Sequence, residues 1–474
     1  VAILLSVAVG GAVILIMQPV PDGSGAAASL WRGWLGKVDL LWFSYATLFG
    51  PAIPTFRPFI DFAGPWQSLQ LATPLIFTGL GLAFGFRTGL FNIGASGQII
   101  MGGIFAAAVG IYIPGPWWLI SPLAVVAAAL GGGLWGALPG WLKARFGSSE
   151  VINTIMLNYI ASSLLIFLLG STQAQFFGRT VALPFKAPGL EPKSHELLAG
   201  AQFPTLISLF GLKSGDNLVS LGPIVALVVL AVMLLRRRGS LRARLVPALA
   251  AAAVALAVGW FIRFTLPISN NMVSVRLSFS FILALMAAAF YAVFMWRTRY
   301  GYELRAVGLS PRAAEYGGVN IRKNIVLAMA ISGALCGLAA THYVLGGALE
   351  EYRLKQVMPA DTAGFGGITV ALLGQNTPWG VIAAATLFGV LGTGGLPLTQ
   401  ALNTISRDIV VVLQALIVVF IATRGFLSSR VTSPPAPGAD ASTPPLGAHG
   451  EVPGPQLVSE DPLPGRGAKG GVKP

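Results

Sequence analysis

An all-α, polytopic transmembrane helical bundle is the fold this sequence predicts, and three observations predict it. Hydrophobic residues fill 55% of the 474 positions and charged residues only 10%, where a soluble domain carries about 25% charge. Apolar runs of the length needed to cross a bilayer, roughly 17–25 residues, recur along the chain between polar interruptions. The 59 glycines suit helices that approach closely in lipid, where small residues let backbones meet.

In chain order, the first apolar run is residues 1–18, which opens at Val1 without Met, so a short cytoplasmic leader is expected ahead of it. Residues 19–65 mix Trp31, Trp34 and Trp42 with Gly and Pro and read as an external segment with an interfacial, partly helical portion and no clear span. Further spans are expected at 66–86, 93–112, 117–139, 150–170, 220–235, 245–262, 277–296, 324–345, 378–397 and 407–424, with a shorter Gly-broken element at 361–376. The total is 10–12 spans, with about twelve crossings as the reading that fits best. A re-entrant 361–376 would instead put the C-terminus outside. The chain divides into an N-terminal helix and external segment (1–65), a transmembrane domain (66–425) and a tail (426–474). With ten Pro and eight Gly in its last 44 residues, the tail is expected to be disordered. The pair 220–235 and 245–262 reads as an insertion of two spans, and the Pro-rich 171–219 as an extended external segment.

Cations set the orientation. The inferred inner loops hold sixteen Lys and Arg in short stretches, the outer ones twelve spread over longer stretches and mixed with acids, which places the tail in the cytoplasm. The net charge of +14 accompanies no nucleic-acid recognition motif, so no nucleic acid is expected as a partner and membrane lipid is. A single cysteine, Cys336, and three dispersed histidines exclude an intrachain disulfide and give no metal-ligand spacing. No G-x-x-x-x-G-K-[ST] phosphate loop and no catalytic constellation occurs, so the chain is read as neither ATPase nor any other enzyme, with no cofactor.

The most informative polar interruption is WRTRYGYELRAVGLSPRAAEYGGVNIRKN, with its loop at 297–323. Ser310 and Pro311 stand where a helix cap and first residue belong, Arg312 to Tyr316 has helical composition, and Gly317-Gly318 is a stop. A capped helix of about two turns between two spans is suited to sit in a groove of a soluble partner and pass force into the membrane.

Two Gly-interrupted stretches recur in the two halves: RTGLFNIGASGQIIMGG from Arg87 and DTAGFGGITVALLGQNTPWG from Asp361. Broken helix at membrane depth must be lined by protein or water, and paired interruptions point to a substrate path. Asn92, Gln98, Gln375 and Asn376 can bond sugar hydroxyls or base edges without adding charge. The competing reading is close packing through Gly with Asn and Gln as interhelical glue. A third stretch, SEVINTIMLNYIA, sets Glu150, Thr154 and Asn158 on one helical face; Glu150 reads first as a helix-start residue, as does Asp408 at the last span.

All four stretches resemble the inner-membrane permease subunits of bacterial ABC importers, in the branch that moves nucleosides and simple sugars such as ribose; the likeness covers roughly Pro65 to Gly425. It implies that the short helix is a coupling helix docking on an ATP-binding cassette ATPase subunit, with Arg305, Gly308, Ser310, Pro311, Ala314, Glu315, Tyr316 and Gly317 as contact or shaping residues. It implies a second, non-identical permease subunit and an extracytoplasmic substrate-binding lipoprotein, in a bacterial plasma membrane. The substrate-path candidates are Phe91, Asn92, Ser96, Gln98, Asn153, Asn158, Gln375 and Asn376. The family commonly has an acid where this chain has Ser96. An ion-driven secondary transporter is the alternative, against which no carboxylate lies mid-span; a sugar permease and a channel are the others.

Overall fold

The computed structural model describes residues 8–12, 28–54, 61–176, 179–182, 185–209, 218–220, 241–260, 263–265, 275–401 and 408–422, with scattered positions between 222 and 233. Most of the span expected at 1–18, the body of that at 220–235, and the whole tail lie outside the described residues. One compact unit runs to Thr423.

Within that unit the chain is a helical bundle. Seven helices among the described residues are long and apolar enough to cross a membrane: α2 (Ala63–Arg87), α3 (Ala95–Tyr112), α4 (Trp117–Phe146), α5 (Glu150–Gly170), α7 (Ser280–Arg297), α10 (Ile321–Leu338, continued by α11, Ala340–Val344) and α13 (Pro378–Ala401). Three more expected apolar segments are also helical: α6 (Leu241–Trp260), whose apolar part is Pro247–Gly259, and the shorter α12 (Ala360–Leu373) and α14 (Asp408–Ala422). Two short antiparallel strand pairs, β1 (Gln173–Phe176) with β2 (Arg179–Ala182) and β3 (Leu218–Ser220) with β4 (Arg263–Thr265), are small additions to an all-α fold. The N-terminal region differs from expectation in one respect. Residues 28–49 form one helix, α1, whose C-terminal part packs Leu48 beside Leu391 and Leu398 of α13; Arg32, Lys37 and Asp39 hid it from a hydropathy reading.

The α2 helix organises the core. Fourteen of its 25 residues, Ser68 and Ala72 to Gly85 without Leu75 among them, are buried, because every face but one meets another helix. A Cβ on Gly79 would touch Val370 and Val381 of α12 and α13, whereas one on Gly81 would touch Cys336 and Ser332 of α10. Two residues are roughly 200° apart around a helix, so α2 separates α12 and α13 from α10. Thr78 anchors the first contact, its hydroxyl donating to Ala363 O at 2.9 Å.

Glycines fix the second principal crossing, α4 against α10. Gly132 and Gly136 on α4 face Gly333 and Gly337 on α10 at four-residue spacing. A Cβ on Gly337 would lie 2.6 Å from Ala128 O and 2.8 Å from Gly132 Cα. Backbones this close gain dispersion contacts that lipid cannot supply.

The α12 helix settles the parity of its segment. Before it, residues 345–355 bond to 194–203 at one end of the bundle: Phe203 N donates to Leu345 O and Ser194 N to Leu354 O. After it, the 375–376 turn bonds Arg87 at the opposite end. The segment therefore crosses rather than re-enters. With 14 residues the helix is about 21 Å long, short of the ~30 Å hydrocarbon core. The rest of the crossing is the non-helical chain through Leu354 and Met358, both buried.

Candidate functional site

At one end of the bundle, residues 298–320 fold as two consecutive capped helices, α8 (Arg299–Leu309) and α9 (Pro311–Tyr316). Thr298 Oγ1 accepts from Gly301 N at 3.1 Å, and Ser310 Oγ accepts from Ala313 N at 3.4 Å, with Pro311 at the first position of α9. Asn320 Oδ1 accepts from Lys323 N at 3.0 Å to start α10. Gly318, at φ +79°, closes α9 in the left-handed conformation that glycine adopts without strain. The cap, the short helix and its stop thus match the sequence reading. The preceding α8 was missed there; its signals are Thr298 at the cap and the buried Leu304 and Val307, three apart.

The outer surface of this element is unpartnered apolar area. Leu309 is 89% and Tyr316 95% exposed, while Ala314 is buried beneath them and Arg312 and Glu315 point outward. Arg305 lies along α8, its Nε donating to Gly301 O at 3.4 Å. Leu309 and Tyr316 thus leave apolar side chains uncovered at the tip of a capped helix.

Behind this surface, α8 ends directly on α2. A Cβ on Gly308 would lie 2.5 Å from Arg87 O and 2.8 Å from Thr88 C, so only glycine permits the approach. The Arg87 side chain then reaches the α12–α13 turn: its Nε donates to Asn376 O and a terminal nitrogen to Gln375 O, each at 3.3 Å. Tyr291 Oη adds a 2.8 Å bond to Asn376 O, and the guanidinium lies 5.4 Å from the centre of the Trp296 ring. Gln375 and Asn376 both have positive φ, 52° and 53°, a conformation costly for non-glycine residues unless the surroundings hold it. Here the Arg87 and Tyr291 bonds do so. Gln375 and Asn376 therefore join α12 to the end of α2 on which Gly308 of α8 rests.

The first amide pair has a different setting. Asn92 and Gln98 are each 1% exposed. Asn92 Nδ2 donates to Gln98 Oε1 (3.0 Å) and Ser332 Oγ (2.9 Å), and its Oδ1 accepts from Gly94 N (2.9 Å) and Gln98 Nε2 (3.1 Å). Ser332 in turn donates to Gly81 O at 2.6 Å. Every donor and acceptor of Asn92 is used, so in this geometry the pair ties the loop before α3 to α2 and α10. Asn158 does the same from α5, accepting from Gly97 N and donating to Ile93 O, both at 2.9 Å. The four amides expected to share one cavity thus fall into two groups, Asn92 with Gln98 on the α10 side of α2 and Gln375 with Asn376 beside Arg87.

Of the other candidates, Ser96 sits at the start of α3 against Gly364 of α12, its buried hydroxyl without a partner among the described residues. Phe91 is partly exposed and packs on Phe86 with ring centres 5.1 Å apart. Asn153 donates to Ser148 Oγ at 2.7 Å, and Glu150 pairs with Lys143 at 2.6 Å; both shape the α4–α5 turn. On α12, Asp361, Thr362 and Phe365 leave one face exposed. No group of three potential metal ligands occurs among the described residues.

Helices broken at bundle depth, a glycine-sealed joint and an exposed capped helix at one end define a multi-pass membrane permease subunit of the kind driven from outside the bilayer. The chain belongs to the family described as branched-chain amino acid transport system, permease component, whose model matches residues 65–422. It is 33% identical to the guanosine ABC transporter permease protein NupP of Bacillus subtilis over 426 residues, covering 89% of this chain and 92% of that one. The nucleoside ABC transporter permease protein NupB of Lactococcus lactis is 29% identical, covering 82% and 87%. The glucose ABC transporter permease protein TsgB13 of Haloferax volcanii is 26% identical over 77% of each. No solved structure matches the chain. It is an ABC transporter permease subunit.

Proposed function

We propose that this chain is the permease subunit of an ATP-driven importer for nucleosides, working with an ATP-binding cassette ATPase, a second, non-identical permease subunit and an extracytoplasmic substrate-binding lipoprotein. The observation that carries the reading is the joint at Gly308. Its exposed side presents α9 to a partner, and its buried side rests on Arg87, which holds the turn of α12. Movement of a docked ATPase would reach α12 through this contact, and α12 has an exposed face. The nucleoside assignment is supported by the named substrates of two relatives that cover 89% and 82% of the chain. Energy comes from the partner, since the chain has no phosphate loop of its own.

In this scheme Gly308, Ser310, Pro311, Ala314 and Gly317 shape the coupling element, Arg305, Glu315 and Tyr316 face the ATPase, and Gln375 and Asn376 respond to it. Asn92, Gln98 and Asn158 hold the broken helix of α3 in place for the path, with Phe91, Ser96 and Asn153 around them. Purification from native membranes should bring down the ATPase subunit, and Tyr316→Asp should lose it while the chain still inserts. A chain that purifies alone from transporting membranes would overturn the reading.

We take the coupling loop to lie in the cytoplasm of a bacterial cell and the tail with it, a reading supported by the crowding of Lys and Arg into the short inferred inner loops. A phosphatase that works only outside the cell should therefore be silent when fused after Pro474. An active fusion would reverse the orientation.

A further inference from the structure

At the end of the bundle opposite the coupling loop, a cavity of about 880 Å³ lies between the first turns of α2, the chain before α7 and the loop after α11. Its polar lining is Gln67 and Gln70 on α2, Arg276, and the adjacent Glu350 and Glu351. The volume is that of a small-molecule site.

Glu351 is committed elsewhere. It pairs with Lys193 at 3.2 Å and Arg353 at 3.3 Å, and the hydrogen bond from Lys193, with the nearby Lys355, holds its carboxyl below the usual range. The other four are not committed: the side chains of Gln67, Gln70, Arg276 and Glu350 bond no other described residue. Arg276 and Glu350 line the same cavity with opposite charge, yet make no ion pair. Glu350 also stands at φ +71°, which its N–H bond to Gly347 O at 3.0 Å helps to hold, and which keeps it out of the course of the Glu351 network.

A cavity lined by a guanidinium and a carboxylate that do not pair, together with two amides, matches a neutral ligand having an acceptor edge and a donor edge. Anions meet Glu350 and cations meet Arg276. We infer that this mouth is a transient subsite for the base of a 6-oxopurine nucleoside, an inference that rests on the importer reading above. The O6 and N7 atoms of such a base accept two bonds from one guanidinium, assigned here to Arg276. Its N1–H, and a 2-amino group where present, donate to Glu350, while Gln67 and Gln70 supply either donor or acceptor. A 6-aminopurine presents a donor where Arg276 needs an acceptor, and it lacks N1–H.

The test is uptake of labelled guanosine by the intact complex, in competition with unlabelled guanosine, inosine, adenosine and cytidine, for the wild type and for Arg276→Gln, Glu350→Gln and Gln70→Leu. Half-maximal inhibition by guanosine and inosine should need about 10-fold more competitor in the Arg276 and Glu350 variants, with that by adenosine and cytidine unmoved. Nucleoside affinity of the separate binding protein and yield of the complex should stay constant. Variants of normal yield with wild-type ranking of all four nucleosides overturn the subsite, as does an equal loss for all four. A low yield for either charge variant transfers the test to Gln70→Leu, where an unchanged ranking is again the overturning result. A wild-type complex that takes up no nucleoside overturns the importer reading and the subsite with it.

Discussion

Gly308→Val should abolish uptake, by at least about 100-fold, with the chain present in the membrane at its normal amount. The added atoms have no room: the first of them already lies 2.5 Å from Arg87 O, and relief requires α8 to lift off α2. A displacement of about 1 Å at a point that must align moving parts is enough for a 100-fold loss. The ends of α2 and α12 keep their own bonds, so insertion and yield are spared. Gly170→Val is the control, since a Cβ there meets nothing within 4 Å, and it should transport normally. Uptake is measured with labelled nucleoside and yield by quantitative blotting. Normal uptake by Gly308→Val would remove the joint from the coupling path.

The second large effect is structural. Gly337→Val should reduce the amount of folded chain in the membrane to less than about a tenth, because the α4 backbone lies within 2.8 Å of the new Cβ at two points, Ala128 O and Gly132 Cα, and backbone cannot give. Overpacking in a well-filled core costs typically about 1–3 kcal/mol, occasionally more, and contacts with backbone rather than side-chain ends belong to the upper part of that range. Gly133→Ala, on the facing helix α4 and with its nearest neighbour at 3.3 Å, should keep most of the yield. Detergent-extracted protein that elutes as a single species measures both. Equal yields for the two variants would mean that α4 and α10 do not cross as described.

These two sites differ in how far the sequence could reveal them. The caps at Ser310 and Gly317–Gly318 were legible because helix starts and stops are made by residues within a few positions of one another. The seven long helices were legible because lipid demands about 20 apolar residues in a row. The role of Asn92 was not, since its partner Ser332 lies 240 positions away and nothing local separates an amide that bonds a helix from one that bonds a substrate. Gln375 and Asn376 marked a break in α12, but their left-handed backbone and the reach of Arg87 to it depend on the packed bundle. For the same reason Gly308 was marked by resemblance alone as a contact or shaping residue of the coupling element, and its approach to α2 could not be read from the sequence.

The central claim is that ATP hydrolysis by a partner drives nucleoside import through this chain, and uptake with the two energy sources separated tests it most directly. Proteoliposomes holding the full complex, with the binding protein outside and ATP inside, should accumulate labelled nucleoside when ionophores have collapsed every ion gradient, and should stop when ATP is replaced by a non-hydrolysable analogue. Uptake that ends with the ionophore while ATP is held constant, or that continues without hydrolysis under an imposed gradient, would contradict the account and make the chain an ion-driven carrier.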